Sequence, residues 1–379
     1  MDERLMIRIA PFGMELVMSS YFLAAPLLLI ELKANPIELG LVGSITSGVH
    51  MILAHRMGPL SERFGRRRLV LLSPLIFFTS CLLAIMMNHV WMILLLSALI
   101  GISTSMFWPS FQAWVADFQK ESNLARDIGT LNMGWTASIL VGPIISGFLF
   151  RYHPRFPFLF AASVSFILFL LNYGLIHDRP GEIKKRELVA EPPISPWHKN
   201  FLYAAWIANF MSWFMLGNAR YQFPKLARAL GSGPQTVGLI TGCMGFFLFL
   251  GFFFLRESDL WHFRKRYLFG AQAFAAVGLI IIYFSSSPFL FALALASIGL
   301  SASLTYYSSL FYAIRLSPQK GRGTGFHESI LSIGGLVGPM LGGFGAQFSG
   351  LRAPYLVCLA FLFAAVVCEI IFLKRKDNP

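Results

Sequence analysis

RDIGTLNMGWTASILVGPIISG (residues 126–147) and RGTGFHESILSIGGLVGPMLGG (residues 322–343) are two versions of one stretch, 196 residues apart in a chain of 379 residues. They share an Arg, a Gly, a Gly-Pro pair and a final Gly in register, within otherwise apolar sequence. The offset is about half of the chain length. This repeat predicts a duplicated bundle of helices, and in membranes such duplication is typical of transporters.

The composition is that of a membrane protein. The mean hydropathy is +0.64, 56% of the residues are hydrophobic and only 13% are charged, which is outside the range of soluble domains. A net charge of +13 would suit nucleic acid, but the basic residues fall in short clusters between apolar runs, so we exclude a nucleic-acid partner. The four cysteines stand singly in apolar runs, and no disulfide, metal site or cofactor is predicted.

Apolar runs of about 20 residues, the length that crosses ~30 Å of hydrocarbon, recur along the whole chain. We predict an all-α membrane protein with twelve transmembrane helices in two pseudo-symmetric six-helix bundles. The first bundle covers residues 1–176, a polar linker with four prolines covers 177–199, and the second bundle covers 200–379. The predicted segments are 9–32, 38–57, 69–87, 90–114, 129–150, 157–176, 200–218, 235–255, 267–285, 288–312, 328–349 and 354–373.

The distribution of Lys and Arg predicts the orientation. With both termini on one side of the membrane, 24 of the 31 Lys and Arg residues fall on that side, including the cluster Arg66 to Arg68. By the positive-inside rule, the termini and the central linker are predicted to be cytoplasmic. We expect a multi-pass protein of the bacterial cytoplasmic (inner) membrane.

The loop between the second and third segments indicates a family. It reads GPLSERFGRRR over residues 58–68, and it resembles the cytoplasmic G-x-L-a-D-r-x-G-r-[rk] motif of the major facilitator superfamily, with Glu62 in place of the usual Asp. A weaker copy, Arg264 to Arg266, follows at an offset of 198. The resemblance extends over nearly the whole chain, and it implies a six-plus-six fold with a central cavity between the halves.

The same resemblance implies a charged gate on the cytoplasmic side. In the family this network breaks and reforms as the halves rock, and Glu62, Arg63 and Asp117 are the expected latch. The alternative is that the arginines only set the topology and bind anionic headgroups. The predicted gate residues are Gly58, Glu62, Arg63, Gly65, Arg66, Asp117 and Arg126.

The duplicated Gly-Pro stretch resembles the G-x-x-x-G-P-x-x-G-G motif of antiporter branches of this superfamily, with Ser138 at the first position of the first copy. Proline bends a helix and glycine permits close contact, so helix packing is the alternative to a role in antiport. The arginine that drug–proton antiporters carry within helix four is absent, since Ser97 stands at that place. The predicted kink and packing residues are Gly142, Pro143, Gly147, Gly338, Pro339 and Gly343.

Few ionisable side chains lie within the predicted spans, and each is a functional candidate because burying a charge in hydrocarbon is costly. Glu15 lies about two turns into the first helix, His50 lies in the second, and Glu328 opens the eleventh. We predict Glu15 as the first proton-coupling candidate, followed by His50 and Glu328. A structural role in pairing or helix capping is the alternative for each.

The resemblance implies that helices one, four, seven and ten line the cavity. They carry aromatic rings and a few amides, which suits an amphipathic or weakly charged organic solute. Arg220 is assigned to the outer end of helix seven, outside the middle of the membrane. The predicted cavity residues are Tyr21, Phe22, Phe107, Trp108, Gln112, Asn209, Trp213, Asn218, Tyr306 and Tyr307.

These patterns predict a secondary active transporter that moves a small organic solute by alternating access, with proton-coupled antiport or efflux as one mode. A uniporter, or a lipid-handling member of the same fold, is the alternative. No His-Glu-x-x-His, Asp-rich or phosphate-loop motif is present, so an enzyme and an ATP-driven pump are disfavoured. The expected partners are the substrate, the bilayer and coupling protons, and we expect a monomer.

Overall fold

The computed structural model describes residues 3–116, 124–176, 196–316 and 320–374, and nearly all of them lie in α-helices. Short connections join the helices, and no β-strand occurs in these four ranges. The helices are α1 (Glu3–Glu31), α2 (Pro36–Phe64), α3 (Arg66–Met86), α4 (Val90–Ala116), α5 (Leu124–Tyr152), α6 (Phe156–Leu175), α7 (Pro196–Tyr221), α8 (Phe223–Ala229), α9 (Pro234–Arg256), α10 (Lys265–Phe284), α11 (Pro288–Leu316), α12 (Lys320–Ser349) and α13 (Ala353–Lys374).

Eleven of the helices in the described part of the chain are long and apolar enough to cross a bilayer. α7 has 26 residues, which at about 1.5 Å per residue is also long enough, but polar residues such as Asn209 and Asn218 lower its hydropathy. Exposed Phe254 and Phe363 are typical of a lipid-facing surface. The predicted all-α membrane fold is confirmed.

Helix packing in the first half (α1–α6) is repeated in the second half (α7–α13). In the first half, α1 packs against α5 and α6, α4 packs against α2 and α3, and α3 packs against α6. In the second half, α7 packs against α12 and α13, α11 packs against α9 and α10, and α10 packs against α13. The short helix α8 has no counterpart in the first half.

Two helix pairs join the halves, α5 with α9 and α2 with α12. In the first pair, a Cβ atom at Gly147 would lie 2.6 Å from the carbonyl oxygen of Pro234, and one at Gly238 would lie 2.5 Å from that of Pro143. In the second pair, Gly343 approaches the carbonyl oxygen of Pro36 and Gly40 approaches that of Pro339 in the same way. The repeated Gly-Pro stretch therefore supplies the surfaces on which the halves meet, since only glycine permits such approach of backbones.

Basic residues at the start of peripheral helices cap the end of the antiparallel neighbour. Arg155 donates to the carbonyl oxygens of Ala84 (3.1 Å), in the last turn of α3, and of Met87 (2.5 Å), the residue that follows the helix. Arg67 donates to the carbonyl oxygens of Ile176 (2.6 Å) and Tyr173 (2.8 Å) at the end of α6. Such capping satisfies carbonyl groups that a helix terminus leaves without partners.

The second half repeats both caps. Arg352 donates to the carbonyl oxygens of Ile282 and Tyr283 at the end of α10, and Lys265 donates to that of Leu373 at the end of α13. The offsets in sequence are 197 for the Arg155 and Arg352 pair and 198 for the Arg67 and Lys265 pair. The duplication is thus visible in single hydrogen-bonded side chains as well as in the order of the helices. These basic residues cap helix ends in addition to the role in membrane orientation that the sequence predicts for them.

The structure differs from the predicted segments at several helix ends and in one connection. α2 continues to Phe64, α5 begins at Leu124 and α12 begins at Lys320, all outside the predicted spans. α1 begins at Glu3, six residues before the predicted span, and α7 begins at Pro196, inside the predicted linker. The chain between the seventh and eighth predicted segments forms α8 in place of a plain loop, because Pro224 is acceptable at a helix start and Phe223 and Leu226 bury one face. Each difference lengthens the helical part of the chain at one or the other end of the bundle.

Candidate functional site

Glu15 is a buried carboxylate on α1 between the two halves. Its exposed fraction is 5%, and it forms no hydrogen bond or ion pair with any residue that the structure describes. The Arg220 guanidinium of α7 acts on it electrostatically without direct contact. A buried carboxylate normally has hydrogen-bond donors around it, so the absence of donors in the described part of the chain marks Glu15 as a functional group.

Arg220 does not lie where the sequence placed it. The residue is next to last in α7, but its guanidinium carbon lies 5.4 Å from the ring centroid of Trp213, seven residues earlier in the chain. It also lies 5.3 Å from the ring centroid of Phe22 on α1. Side chains on a helix lean toward its N-terminus, so Arg220 folds back over α7 into the space between the halves. Trp213 and Arg220 are seven residues apart, which is about two helical turns and puts them on one face of α7. This spacing is the feature of the sequence that indicates the contact.

Aromatic rings from three helices surround this position. Tyr306 of α11 lies 6.4 Å from Trp213 and 5.5 Å from Trp135 of α5, measured between ring centroids. Trp213 is half-buried, although it lies near the middle of a long helix. The rings therefore line the junction of the halves, and the charges of both Glu15 and Glu328 act on the Tyr306 hydroxyl.

Glu328 lies across the junction from the first half. Its Oε1 is 3.5 Å from the side-chain nitrogen of Gln112 on α4, and both residues are half-buried. Glu328 is nine residues into α12 and does not cap that helix. Glu15, Gln112, Trp213, Arg220, Tyr306 and Glu328 are called the central site below.

His327 was missed by the sequence analysis. It is fully buried beside the central site, 4.8 Å from the ring of Tyr306. Its Nδ1 is 2.8 Å from the Ser309 hydroxyl and 3.5 Å from the Asn209 amide nitrogen, while Nε2 has no hydrogen-bond partner in the described part of the chain. The Asn209 amide nitrogen can only donate, so its contact makes Nδ1 an acceptor and assigns the proton of a neutral ring to Nε2. No motif in the sequence indicated this residue.

The other proton-coupling candidate, His50, lies away from the central site. Its Nδ1 is 3.2 Å from the Thr104 hydroxyl, which joins α2 to α4 within the first half. Glu369, which the sequence analysis left out of the candidates, is fully buried and accepts a 2.6 Å hydrogen bond from Gln272 between α10 and α13. It is thus a buried carboxylate outside the central site.

The structure separates the predicted cavity residues into two groups. The first group lies at or beside the central site and consists of Phe22, Gln112, Trp213 and Tyr306. Asn209 belongs with them, because it lies on the same face of α7 as Trp213. The rest lie elsewhere or have no contact with the site, because neighbouring residues on a helix point in different directions.

Five of the predicted cavity residues are part of helix packing. Tyr21 lies against Phe77 and Phe158 inside the first half, and Tyr307 lies against Phe252 and Trp261 in the second half. Phe107 is fully buried and stacks on Phe111, and half-buried Trp108 lies at its edge. Asn218 donates to the carbonyl oxygens of Phe214 and Gly338 and so joins α7 to α12.

The end of the bundle that carries α8 is closed. Lys225 of α8 donates to the carbonyl oxygen of Ala34, and Arg228 pairs with Glu31 at 3.4 Å, so the helix joins the first half. Gln222, just before α8, donates at 3.0 Å to the carbonyl oxygen of Pro36. Partial burial lowers the pKa of Lys225, and the charge of Glu38 opposes that shift. These contacts close the junction of the halves at the α8 end, next to the end of α7 that carries Arg220.

The predicted gate lies at the opposite end. Glu62 and Arg63 are exposed, and Glu62 forms no ion pair with the described residues, while the Arg63 guanidinium lies over the ring of Phe64. Arg66 donates to the carbonyl oxygen of Ala113 at the end of α4. Asp117 lies outside the described residues, as do the side chain of Arg126 and the surroundings of Gly58. Gly65 has φ 92° between α2 and α3, a conformation that favours glycine.

The Gly-Pro stretch also joins helices within each half. A Cβ atom at Gly338 would clash with the backbone of Phe214 on α7, and one at Gly142 would clash with Ser19 on α1. Ser138 takes the place of the first motif glycine, and its hydroxyl donates to the carbonyl oxygen of Phe12 at 2.6 Å. The departure from the motif thus adds a hydrogen bond between α1 and α5. No group of metal-ligating side chains occurs in the described ranges.

Comparison with known proteins agrees with this architecture. The family model described as Major Facilitator Superfamily matches residues 9–219 and, a second time, residues 205–379. The chain belongs to the Major Facilitator Superfamily. It is therefore a multi-pass membrane transporter and not an enzyme. The prediction of this family from the residue 58–68 loop is confirmed.

Several proteins of the superfamily resemble the chain over most of their length. The multidrug resistance protein MdtG of Salmonella dublin is 26% identical over 346 residues, covering 89% of this chain and 85% of that protein. MdtG of Klebsiella pneumoniae strain 342 is 25% identical over 348 residues, covering 89% and 84%. Both are similar to this chain in length and family.

Solved structures of the superfamily share the fold. A bacterial homologue of the human lysosomal transporter Spinster, in an inward-facing and occupied conformation, has a TM-score of 0.76 at 16% identity, covering 98% of this chain and 96% of that one. The human organic anion transporter MFSD10 has a TM-score of 0.65 at 17% identity, covering 98% and 99%. At these identities the likeness establishes the fold alone.

Proposed function

We propose that the protein is a proton-coupled secondary transporter that moves a small organic solute by alternating access. The observation that carries the proposal is the carboxylate of Glu15, buried between the halves without a hydrogen bond to any described residue and within electrostatic range of the Arg220 guanidinium. A buried carboxylate that gains a proton in one conformation and loses it in the other can couple proton movement to that of the substrate. Glu328, beside Gln112 across the junction, is a second carboxylate available to the same site.

The distribution of contacts supports alternating access. The α8 end is closed by Lys225, Arg228 and Gln222, whereas Glu62 at the other end is exposed and has no ion pair in the described part of the chain. We assign the loop of residues 58–68 as the gate that engages when the α8 end opens. The termini and this gate are cytoplasmic in the proposal, and a phosphatase fused after residue 379 should be inactive in intact cells if that is so.

The proposed units are the two bundles, 1–176 and 200–379, joined by the linker of residues 177–199. The repeated helix contacts and the two matches of the family model support them. The name of the MdtG relatives, multidrug resistance protein, favours export across a bacterial inner membrane as the direction of transport. A uniporter and a lipid transporter remain the alternative functions, and the next experiment separates both from proton-coupled transport.

Reconstituted protein tests the coupling. In proteoliposomes that contain the full chain, an imposed pH gradient should drive accumulation of a transported aromatic solute. Glu15→Gln should abolish this gradient-driven accumulation and leave solute counterflow intact, because the amide keeps the size of the side chain and removes the proton site. Counterflow without any gradient-driven uptake in the wild type would instead indicate a uniporter.

Glu369→Gln is the matched control. Glu369 is also a buried carboxylate, but it bonds to Gln272 within the second half, away from the central site. The control should keep gradient-driven accumulation, so a loss there would mean that any buried carboxylate is needed for folding. If Glu15→Gln itself retains full accumulation, Glu15 is not the proton site. Transfer of fluorescent lysolipid but of no soluble solute would favour the lipid alternative.

A further inference from the structure

The Arg220 side chain reaches the junction of the halves. No hydrogen-bond acceptor among the described residues contacts its guanidinium. It forms no hydrogen bond and no ion pair with the described residues. Its contacts are the faces of two aromatic rings, Phe22 at 5.3 Å on one half and Trp213 at 5.4 Å on the other. By contrast, Arg67, Arg155 and Arg352 all donate to carbonyl oxygens.

The aromatic faces hold the guanidinium without using its N–H donors. A cation over a ring interacts with the π-face, so the in-plane donors stay free for an acceptor. An arginine presents five such donors in a fixed fork that matches a carboxylate, sulfonate or phosphonate. Phe22 and Trp213 also provide apolar surface for whatever carries that acceptor.

We propose that Arg220, with Phe22 and Trp213, is the binding site for the anionic group of an aromatic or amphipathic substrate. This inference rests on the proposed function for the transport of such a substrate, but the binding site is testable without transport. It replaces the weakly charged solute expected from the sequence, since that expectation depended on Arg220 lying outside the middle of the membrane.

Glu15 is then the internal competitor of the substrate. Its carboxylate lies in electrostatic range of Arg220 but forms no hydrogen bond or ion pair with it, so a bound anion would compete with the charge of Glu15 for the same guanidinium. Loss of the negative charge of Glu15 on protonation removes this competition and favours the anion. Binding of an anion and binding of a proton therefore favour each other through one arginine.

The other charged or titratable groups around this pair are few in the described ranges. α7 contributes Tyr221 next to Arg220, and α11 contributes Tyr306. α12 contributes Glu328, which faces Gln112 of α4, and His327, which is bonded to Ser309 of α11 beside Tyr306. The groups of α8, Lys225 and Arg228, are engaged with Ala34 and Glu31 at the seal. Glu328 is the additional carboxylate whose removal must be checked.

A series of ligands with one scaffold and three charges tests the site. We expect 4-phenylbutyrate to bind the purified full chain in non-ionic detergent more tightly than the neutral 4-phenylbutyramide, by about tenfold or more, because a hydrogen-bonded charge is gained. Titration of thermal stabilisation with each ligand gives the affinity. Tighter binding of the cationic 4-phenylbutylamine than of the carboxylate would overturn the proposal.

Substitutions assign the preference to the arginine. Arg220→Gln should abolish the preference for the carboxylate and leave the amide unchanged, which also shows that the variant is folded, while Arg220→Lys should retain part of it. Arg315→Gln is the matched control, because Arg315 also lies over a ring, that of Phe311, but is exposed at the other end of the bundle. A preference that survives Arg220→Gln would refute the site.

The pH dependence tests the competition with Glu15. In the wild type, 4-phenylbutyrate should bind more tightly at mildly acidic than at neutral pH, whereas Glu15→Gln should bind it tightly at both. Glu369→Gln, which changes a buried carboxylate outside the central site, should keep the wild-type dependence. A dependence lost in Glu328→Gln but kept in Glu15→Gln would assign the competition to Glu328 instead. A pH dependence unchanged in Glu15→Gln would overturn the competition. Anion binding without gradient-driven uptake would contradict the proposed coupling only, and gradient-driven uptake without anion preference would contradict this inference only.

Discussion

Individual basic side chains in this protein have two kinds of surroundings. Arg67, Arg155, Lys265 and Arg352 donate to carbonyl oxygens at helix ends, where a positive charge also favours the helix dipole. Arg220 is held between aromatic faces without an acceptor among the described residues. A basic side chain that donates to carbonyl oxygens stabilises the fold. Burying a guanidinium without an acceptor costs free energy unless a bound ligand accepts its hydrogen bonds.

We expect Arg155→Ala to destabilise the protein without changing transport per folded molecule. It removes hydrogen bonds to Ala84, Met87 and the Asn88 side chain. The free energy of unfolding should fall by about 1–3 kcal/mol, measured by thermal denaturation in detergent. Arg264→Ala is the control, since Arg264 is exposed at the start of α10 and its side chain caps no helix there. Equal stability of the two variants would contradict the capping role.

Helices meet across the halves through backbone contacts rather than large side chains. In the pairs α5 with α9 and α2 with α12, a glycine of one helix lies against the carbonyl oxygen of a proline in the other. Ser44 adds a 2.7 Å hydrogen bond from α2 to the carbonyl oxygen of Leu336 on α12. Contacts of this kind have little side-chain interlocking, so the two surfaces can shift against each other as the halves rock.

Gly238→Ala should disfavour the conformation in which the α8 end is closed. The added Cβ would lie 2.5 Å from the carbonyl oxygen of Pro143, so α5 and α9 must separate. We expect a loss of about 1–3 kcal/mol in thermal stability and slower transport. Gly270→Ala is the control, because nothing lies within 4 Å of the added atom, and it should be neutral or stabilising. A Gly238→Ala protein as stable and active as wild type would show that the helices do not need this approach.

The whole molecule has a closed end at α8 and a gate region at the other end. Glu62→Gln should slow transport several-fold in proteoliposomes, because the carboxylate is needed when the loop of residues 58–68 closes the cytoplasmic side. Membrane insertion and yield should be unchanged, since Glu62 is exposed and has no ion pair in the described part of the chain. Rates are measured as initial counterflow.

Glu257→Gln is the matched control for the gate. Glu257 is an exposed carboxylate in the corresponding connection of the second half, where it pairs with Arg256 at 3.0 Å. It should transport at the wild-type rate. If Glu62→Gln also does so, the loop serves only topology and lipid contact, the alternative considered for its arginines.

The class of the protein, its helices and its family follow from local patterns in the chain. Apolar runs long enough to cross a bilayer must form helices, since backbone groups in lipid need internal hydrogen bonds. The repeat at residues 126–147 and 322–343 and the loop at residues 58–68 are contiguous, so they are visible without coordinates. α8 was not, because its burial depends on contacts with Ala34 and Glu31 from the other half.

The central site depends on contacts between residues far apart in sequence. Glu15 was foreseen because any carboxylate in a span is unusual, whereas the reach of Arg220 depends on the side-chain direction and on Phe22 opposite it. His327 acquires its surroundings from Asn209 and Ser309 on other helices. Conversely, Tyr21 and Tyr307 lie on the cavity helices but point into the halves. Local sequence thus sets which segments span the membrane, and the rotation of each helix against its neighbours sets which side chains meet.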